Sequence, residues 1–494
     1  MIGGGPSGAV VARLLASWGH EVRLLTRLVD VKRTLANSLP PSTRKLLVQT
    51  GVLDVVERVG FRTHGNTVWW GAREGHVEPF SADGSTWGYQ VDRARLDPLL
   101  LDAAAAEGVA VERDAAVRHV DWSGDEAIVL YEARGGMHRC RARLTIDCSG
   151  RSGALAVNWR LRQHVPGGRM QALVGVWTRA GGWFLQNPTH TFIETCHEGW
   201  AWSIPTTDTE RHVGIMVDGA TSRLTRRQAL VDTYLAQLAL TERIDRQVRG
   251  ATPDRVFACD ATVYTARAHA GDGYFLVGDA GSTLNPLSSF GIKKALASAW
   301  LGAVSAHTSL IAPERAAAAQ AFFSRWSAQT WQVNLARSRE FAVEARAAHR
   351  SPFWDAQASL PVDDRLLPLD DGSLLGADDV RAMLARFRES DTIVFSAGAE
   401  ATHVSAPVVR GNEVVVEDAV ALGPEARDIV RYVRGIDLVA LADLAPCAAD
   451  IPLMYEEYCT RLGSVPLPDF LGVLALLAAR HVLGVRIERA RSRA

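Results

Sequence analysis

Residues 9–20, AVVARLLASWGH, repeat apolar positions at helical spacing, and Gly19 offers a stop. EVRLLTR follows and reads as a short buried strand. Directly ahead stand Gly3, Gly5 and Gly8 in a G-x-G-x-x-G array, with only Met1 and Ile2 before them. Loop, helix and strand in this order predict the start of a Rossmann unit. The glycines allow a tight turn, and free N–H groups at the helix start suit a pyrophosphate. The array by itself is also found in plain Gly-rich turns; the βαβ context favours the nucleotide reading. Two features depart from the fingerprint. Thr26, followed by Arg27, stands where an acid would hold the ribose, and the feeding strand is almost absent. The second departure leads us to expect a coding start several residues upstream of Met1. The chain as written would then lack the central strand of its sheet and fold poorly.

Two later segments repeat the strand-to-loop pattern. RARLTIDCSGRSG is a strand running into Asp147, Cys148, Ser149 and Gly150. GDGYFLVGDAGSTLNPLSSFGIKKALASAW is a strand ending at Gly278-Asp279, then a loop, then a helix from about Gly291. An Asp at the C-terminal end of a strand, beside small residues, can accept from ribose-type hydroxyls of an extended cofactor. A helix after PLSSFG offers its N–H groups to an electron-rich ring edge. The bland reading of either segment is a strand–turn–helix corner, but three in this order are specific.

Composition narrows the class. The chain has 494 residues, more than one ordinary domain. Its net charge of −1 gives no broad surface for nucleic acid or anionic membrane. Six cysteines (140, 148, 196, 259, 447 and 459) are scattered without a C-x-x-C pair, which speaks against disulfides and a Cys-rich metal site. The start is a poor signal peptide, and DFLGVLALLAARHVLGV is interrupted by Arg480 and His481 and reads as a buried helix. The expectation is a soluble, cytoplasmic protein.

With these motifs the chain resembles the FAD-dependent aromatic monooxygenases, especially their branch that includes the flavin-dependent halogenases, from Gly3 to about residue 360. The resemblance implies an α/β fold: a Rossmann-type, glutathione-reductase-like FAD-binding domain with an inserted antiparallel sheet for the substrate. It implies that Gly3, Gly5 and Gly8 hold the ADP part of FAD. Asp279, beside Gly278, would contact the ribityl chain, and Pro286, Ser289 and Gly291 would cover the isoalloxazine. Arg93, in QVDRARLDPLLLDAAAAEGVAV, would lie near the cofactor. ANSLPPSTRKLL resembles a family stretch beginning Glu-Ser-Leu, with Asn37 in place of Glu, and SREFAVEARAAHRSPFWDAQ resembles a helix–loop segment of the same branch.

GWAWSIP fits W-x-W-x-I-P, which in the halogenases lies between flavin and substrate. Its bland reading is a strand with Trp200 and Trp202 on one face. Both hold together, since a Trp-rich face is a wall for a flat aromatic ring. Halogenases also need a lysine amine. In the matching stretch GFRTHGNTVWWG, His64 takes the lysine's place, with Thr63 the other candidate and Lys45 upstream. Their F-x-x-P-x-x-S-x-G loop is here Thr283, Pro286, Ser289 and Gly291, so the Phe is lost. The loop also resembles the D-P-L-S-S-Q-G of flavoproteins that hydroxylate a protein-bound tryptophan during tryptophylquinone biogenesis. We therefore favour hydroxylation of an indole or phenol through a C4a-hydroperoxyflavin over halogenation, with a flavin dehydrogenase as a further alternative. Trp69 and Trp70 would complete the ring sandwich, and His64 would assist proton transfer; the bland reading of His64 is a loop histidine. The substrate is an aromatic small molecule or a peptide- or carrier-bound aromatic. Electrons come from a separate flavin reductase or from transient NAD(P)H docking.

The expected domains are 1–55, 86–157 and 252–310 for FAD, 56–85 and 158–251 for substrate, a helical segment 311–360 and a small domain 361–494. In the last, THVSAPVVRGNEVVVEDAVAL predicts a hairpin about Arg410-Gly411-Asn412. IVRYVRGIDLVALADLA and IPLMYEEYCTRL predict helices, and VPLPDFLGVLALLAARHVLGVRIERA a helix ending in a strand. This is an α+β, winged-helix-like pattern. It serves either to dock a large substrate or to cap the site; its acids disfavour DNA.

Overall fold

The computed structural model describes residues 1–27, 34–71, 74–123, 126–219, 227–288, 290–368, 371–390, 392–398, 403–423 and 428–488. Two units are present, Met1–Val362 and Asp363–Ala494.

In the first unit, parallel strands build a nucleotide-type sheet. Arg23–Thr26 pairs with Ala110–Arg113, and Thr145–Asp147 pairs with Tyr274–Leu276. Ile2 bridges Leu25 on one side and Asp147 on the other, both in parallel. Its N–H donates to the Ile146 carbonyl (2.9 Å), and its carbonyl accepts from Cys148 (2.7 Å). The two residues ahead of the glycines thus stand where the central strand delivers the chain into its loop. The helix Pro6–Ser17 follows and packs against Arg93–Ala106 and Gly291–Ile311.

The second sheet has seven strands in the order Arg255–Asp260, Met170–Thr178, Glu210–Asp218, Gly199–Pro205, Thr191–Cys196, Gly65–Trp69, His76–Pro79. Every pairing is antiparallel except that of Thr191–Cys196 with Gly65–Trp69. Alternation sorts its side chains into two cores. Val174, Val176, Trp200, Met216 and Phe257 share one core with Trp331, Leu335 and Ala342 of the long helix Ala316–Ala348. Leu173, Trp177, Ala201, Val213 and Ile215 form the other with Tyr234 and Leu238.

The second unit contains the expected hairpin. His403–Arg410 pairs with Glu413–Ala421, with Arg410 opposite Glu413. The predicted helix over IVRYVRGIDLVALADLA is only half present. Its first part forms short strands, Tyr432–Val433 against Ile436–Asp437, and the helix runs Leu438–Leu444. Arg434 and Gly435 both adopt positive φ (52° and 78°), a two-residue hairpin turn that ends any helix. Leu467–Ala479 is a buried helix, followed by the strand Leu483–Glu488. Among the described residues no single helix is long and apolar enough to cross a membrane.

Candidate active site

One cavity of about 830 Å³ in the first unit is lined from both the nucleotide-type sheet and the seven-stranded sheet. Its first wall is the glycine loop. Gly3 has φ +98°, and a Cβ there would lie 2.4 Å from the Cys148 carbonyl oxygen. A Cβ on Gly8 would lie 1.9 Å from the Gly3 carbonyl oxygen. Both positions therefore exclude a side chain, which lets the loop turn tightly into its helix. Gly5 is the N-cap of that helix and supplies no side-chain cap, so first-turn N–H groups remain for a ligand. Gly3, Gly5, Arg27, Arg93, Arg113 and Arg151 all line the cavity. Helix N–H groups with the Arg93 guanidinium beside Gly5 fit a pyrophosphate. Arg93 is steered by Asp97, with Nε–Oδ1 at 2.5 Å.

Thr26, at the acid position, accepts the Gly4 N–H through its hydroxyl (3.1 Å) and so braces the loop. Asp147 corrects a sequence expectation. It is 0% exposed. Its Oδ1 accepts from Ser149 N (2.9 Å) and its Oδ2 from Leu155 N (2.7 Å). Both oxygens shape the 148–155 loop, and the buried carboxylate is not among the residues lining the cavity, so it is not presented to a ribose; Gly150, inside that loop, does line the cavity.

Asp279 faces the cavity, with its side chain 41% exposed. Gly278 lies behind it and donates its N–H to Ser298 Oγ (2.9 Å). Burial pushes the Asp279 carboxyl up, but Lys294, Arg151 and Arg93 together outweigh this and hold it below its ordinary value. Pro286 and Gly291 line the same region, and Ser289 lies outside the described residues. The helix Gly291–Ile311 also starts without a side-chain cap.

The opposite wall is the face of the seven-stranded sheet that carries Ala172, Thr191, Ile193, Trp200, Trp202 and Ile204. Trp200 and Trp202 are two apart on one strand, and their ring centroids lie 5.0 Å apart. Trp200 is buried and Trp202 half-buried. This wall carries no charge, which suits a flat apolar ring.

The structure does not bring His64, Trp69 or Trp70 to the cavity. Trp69 pairs with Glu194 and stacks on Phe192 at 5.9 Å, on the opposite face of the sheet from Trp200 and Trp202. Trp70 donates its indole N–H to the Phe341 carbonyl (3.0 Å) and meets Trp354 edge-on. His64 sits at the sheet edge, where its carbonyl accepts from Phe80 N (2.8 Å) and its ring lies near His190. Sequence reasoning missed Ile193 and Thr191, which reach the wall from the neighbouring strand. It also missed Lys294, whose place at helix spacing from Gly291 was the available signal.

A family model described as FAD binding domain matches residues 1–329. The chain belongs to the FAD-binding domain family. It is 26% identical over 368 residues to a tryptophan 2-halogenase of Chondromyces crocatus, covering 71% of this chain and 70% of the relative. Among solved structures, CmlS, a flavin-dependent halogenase, aligns with TM-score 0.78 at 21% identity, over 99% of this chain and 95% of that one. QhpG, a peptidyl tryptophan dihydroxylase essential for tryptophylquinone cofactor biogenesis, aligns with TM-score 0.68 at 20% identity, over 97% and 98%. The protein is thus a FAD-dependent oxidoreductase, and FAD is its cofactor.

Proposed function

We propose that this FAD-binding protein is a monooxygenase that hydroxylates an indole or phenol, free or borne by a peptide or carrier. The observation that carries the reading is the continuity of one cavity from the Gly3–Gly5 loop and Asp279 to the Trp200 and Trp202 face. The glycine loop and helix start would hold the FAD diphosphate, with Arg93 beside Gly5. Asp279 would accept from a ribityl hydroxyl, and Pro286 and Gly291 would lie against the ring system. FAD supplies the activation of oxygen. The chain supplies the rest. Uncapped N–H groups at the start of the Gly291–Ile311 helix would stabilise negative charge on the flavin ring. Trp200 and Trp202 orient the substrate ring, and Ile193, Ile204 and Leu284 exclude water.

A second reading, halogenation, is favoured by the names of the relatives and by the W-x-W-x-I-P strand. It needs an amine that reaches both flavin and substrate. The chain has four lysines, 32, 45, 293 and 294. Lys32 lies outside the described residues, and Lys45 is exposed. Lys293 donates to Ser42 Oγ (2.9 Å), and Lys294 is buried behind Asp279.

The test is to reduce the FAD-loaded enzyme anaerobically. It is then mixed with oxygen and bromide in the presence of indoles, phenols and Trp-containing peptides, and product masses are read. A gain of one oxygen supports hydroxylation. Replacement of hydrogen by bromine overturns it in favour of halogenation, and Lys32→Met would then be the first variant to make. Peroxide as the sole product would leave a flavin dehydrogenase.

A further inference from the structure

The ammonium of Lys294 is buried beneath the cofactor loop, with the residue 7% exposed. It is the fourth residue of the helix Gly291–Ile311, and its Nζ meets three oxygens. It donates to the Gly278 carbonyl at 3.1 Å, to Asp279 Oδ1 at 3.2 Å, and to the Ser282 carbonyl. An ammonium has three protons, so each is used. Two of the three acceptors are backbone atoms on either side of Asp279, and the third is the carboxylate that faces the cavity. The clamp therefore fixes both the course of the loop and the rotamer of its one charged side chain.

We propose that Lys294 is a positioning residue for FAD: it locks the 278–282 loop and holds the Asp279 carboxylate aimed at the ribityl hydroxyls. The role is independent of whether the enzyme hydroxylates or halogenates. Its test is a binding measurement, so it fails or holds separately from the aromatic-substrate reading.

The surroundings define what each partner does when the other is removed. Facing Asp279 are Lys294, Arg151 from the Gly150–Ser152 turn, and Arg93 from the Arg93–Ala106 helix. The Tyr264 hydroxyl donates to the Asp279 carbonyl (2.7 Å). Asp279 and His269 are the titratable neighbours of Lys294 besides Arg151, and His269 is held neutral by burial. Desolvation lowers the Lys294 ammonium, and Asp279 opposes that fall. Without Lys294, only Arg151 and Arg93 are left to oppose burial, so the Asp279 carboxyl moves upward and protonates more readily as pH falls. Without the Asp279 charge, burial drives the Lys294 ammonium further down, so it loses a proton as pH rises.

The experiment is titration of the flavin-free full chain with FAD, read by quenching of flavin fluorescence, for wild type, Lys294→Met, Lys294→Arg and Asp279→Asn. Wild-type affinity is expected to be flat between about pH 5.5 and 8. Lys294→Met should bind about 10- to 100-fold more weakly at neutral pH. Its affinity should fall further as pH falls. Lys294→Arg should restore the flat profile, even if the larger head group leaves affinity below wild type. Asp279→Asn should show the opposite slope, weakening as pH rises. It carries the test by itself if Lys294→Met is insoluble. Unchanged affinity in Lys294→Met, or equal losses at every pH in all three variants, overturns the proposal and leaves Lys294 a packing residue.

Discussion

The Trp202 indole occupies the space above Gly214, its directly paired neighbour on the next strand. A Cβ at position 214 would lie 2.1 Å from Cζ2 of that ring. Gly214 thus sets the tilt of Trp202 toward the cavity. A glycine inside a strand usually marks such a close approach. Gly214→Ala should force the ring to swing or the strands to part, costing about 1–3 kcal/mol of stability. FAD affinity should stay at the wild-type value, and KM for the aromatic substrate should rise. FAD titration and steady-state kinetics on the same preparation separate the two effects.

Trp202 and Trp69 offer a paired control, because they lie on opposite faces of one sheet. Trp69→Ala removes the stack on Phe192 and should destabilise the chain by about 2–4 kcal/mol in urea unfolding. KM should be retained in the surviving folded enzyme. Trp202→Ala should do the reverse, with a modest stability loss and a KM raised about tenfold or more through the lost ring contact. Equal kinetic damage from both would argue that the substrate does not lie on the Trp202 face.

Asp147 is expected to act on stability. Asp147→Ala leaves the half-buried N–H of Ser149 and the buried N–H of Leu155 without their acceptors. The penalty for two such groups is about 2–5 kcal/mol. The loop they shape carries Gly150 and Arg151 on the cavity, so FAD affinity should fall as well. Differential scanning calorimetry with and without FAD would show a lowered Tm and a smaller FAD-induced rise. A variant with normal Tm but weak FAD binding would instead restore a ribose-holding role for Asp147.

His269 gives a pH dependence with a definite sign. Burial, with Lys294 nearby, holds its imidazole down to about 4. The unfolded chain accepts a proton near about 6.5, which the folded form refuses. Its contribution to stability is therefore full above that unfolded value and is lost as pH falls toward 4, where it levels off. The shift corresponds to about 3 kcal/mol. Urea midpoints should decline between pH 6.5 and 4 in the wild type and decline less in His269→Gln. Parallel declines would assign the acid sensitivity to other groups.

Part of the site was legible because it depends on neighbours in sequence. The glycine loop, the Gly278-Asp279 turn and the helix from Gly291 are each encoded in a short run of residues. So are the hairpin at Arg410 and the i, i+2 placement of Trp200 and Trp202. IVRYVRGID failed for a local reason of its own. Its apolar spacing suits a helix, but the positive-φ pair Arg434-Gly435 makes a turn.

The rest was decided by pairing between distant segments. Both faces of the seven-stranded sheet are apolar, so alternation tells which residues share a face but not which face meets the cofactor. The pairing of Gly65–Trp69 with Thr191–Cys196 sends Trp69 away from the cavity. Asp147 ends its strand as expected, yet the Ser149–Leu155 chain folds back and takes both of its oxygens. Lys294 is one of two adjacent lysines, and only the packing of its helix against the Asp279 loop distinguishes the buried clamp from its half-exposed neighbour. The sequence by itself determined a FAD-type loop, its order of elements and a tryptophan-rich strand, because short-range backbone geometry and periodicity suffice for those. Tertiary structure alone decided which side chains face the cofactor cavity, because that depends on register and burial between segments far apart in the chain.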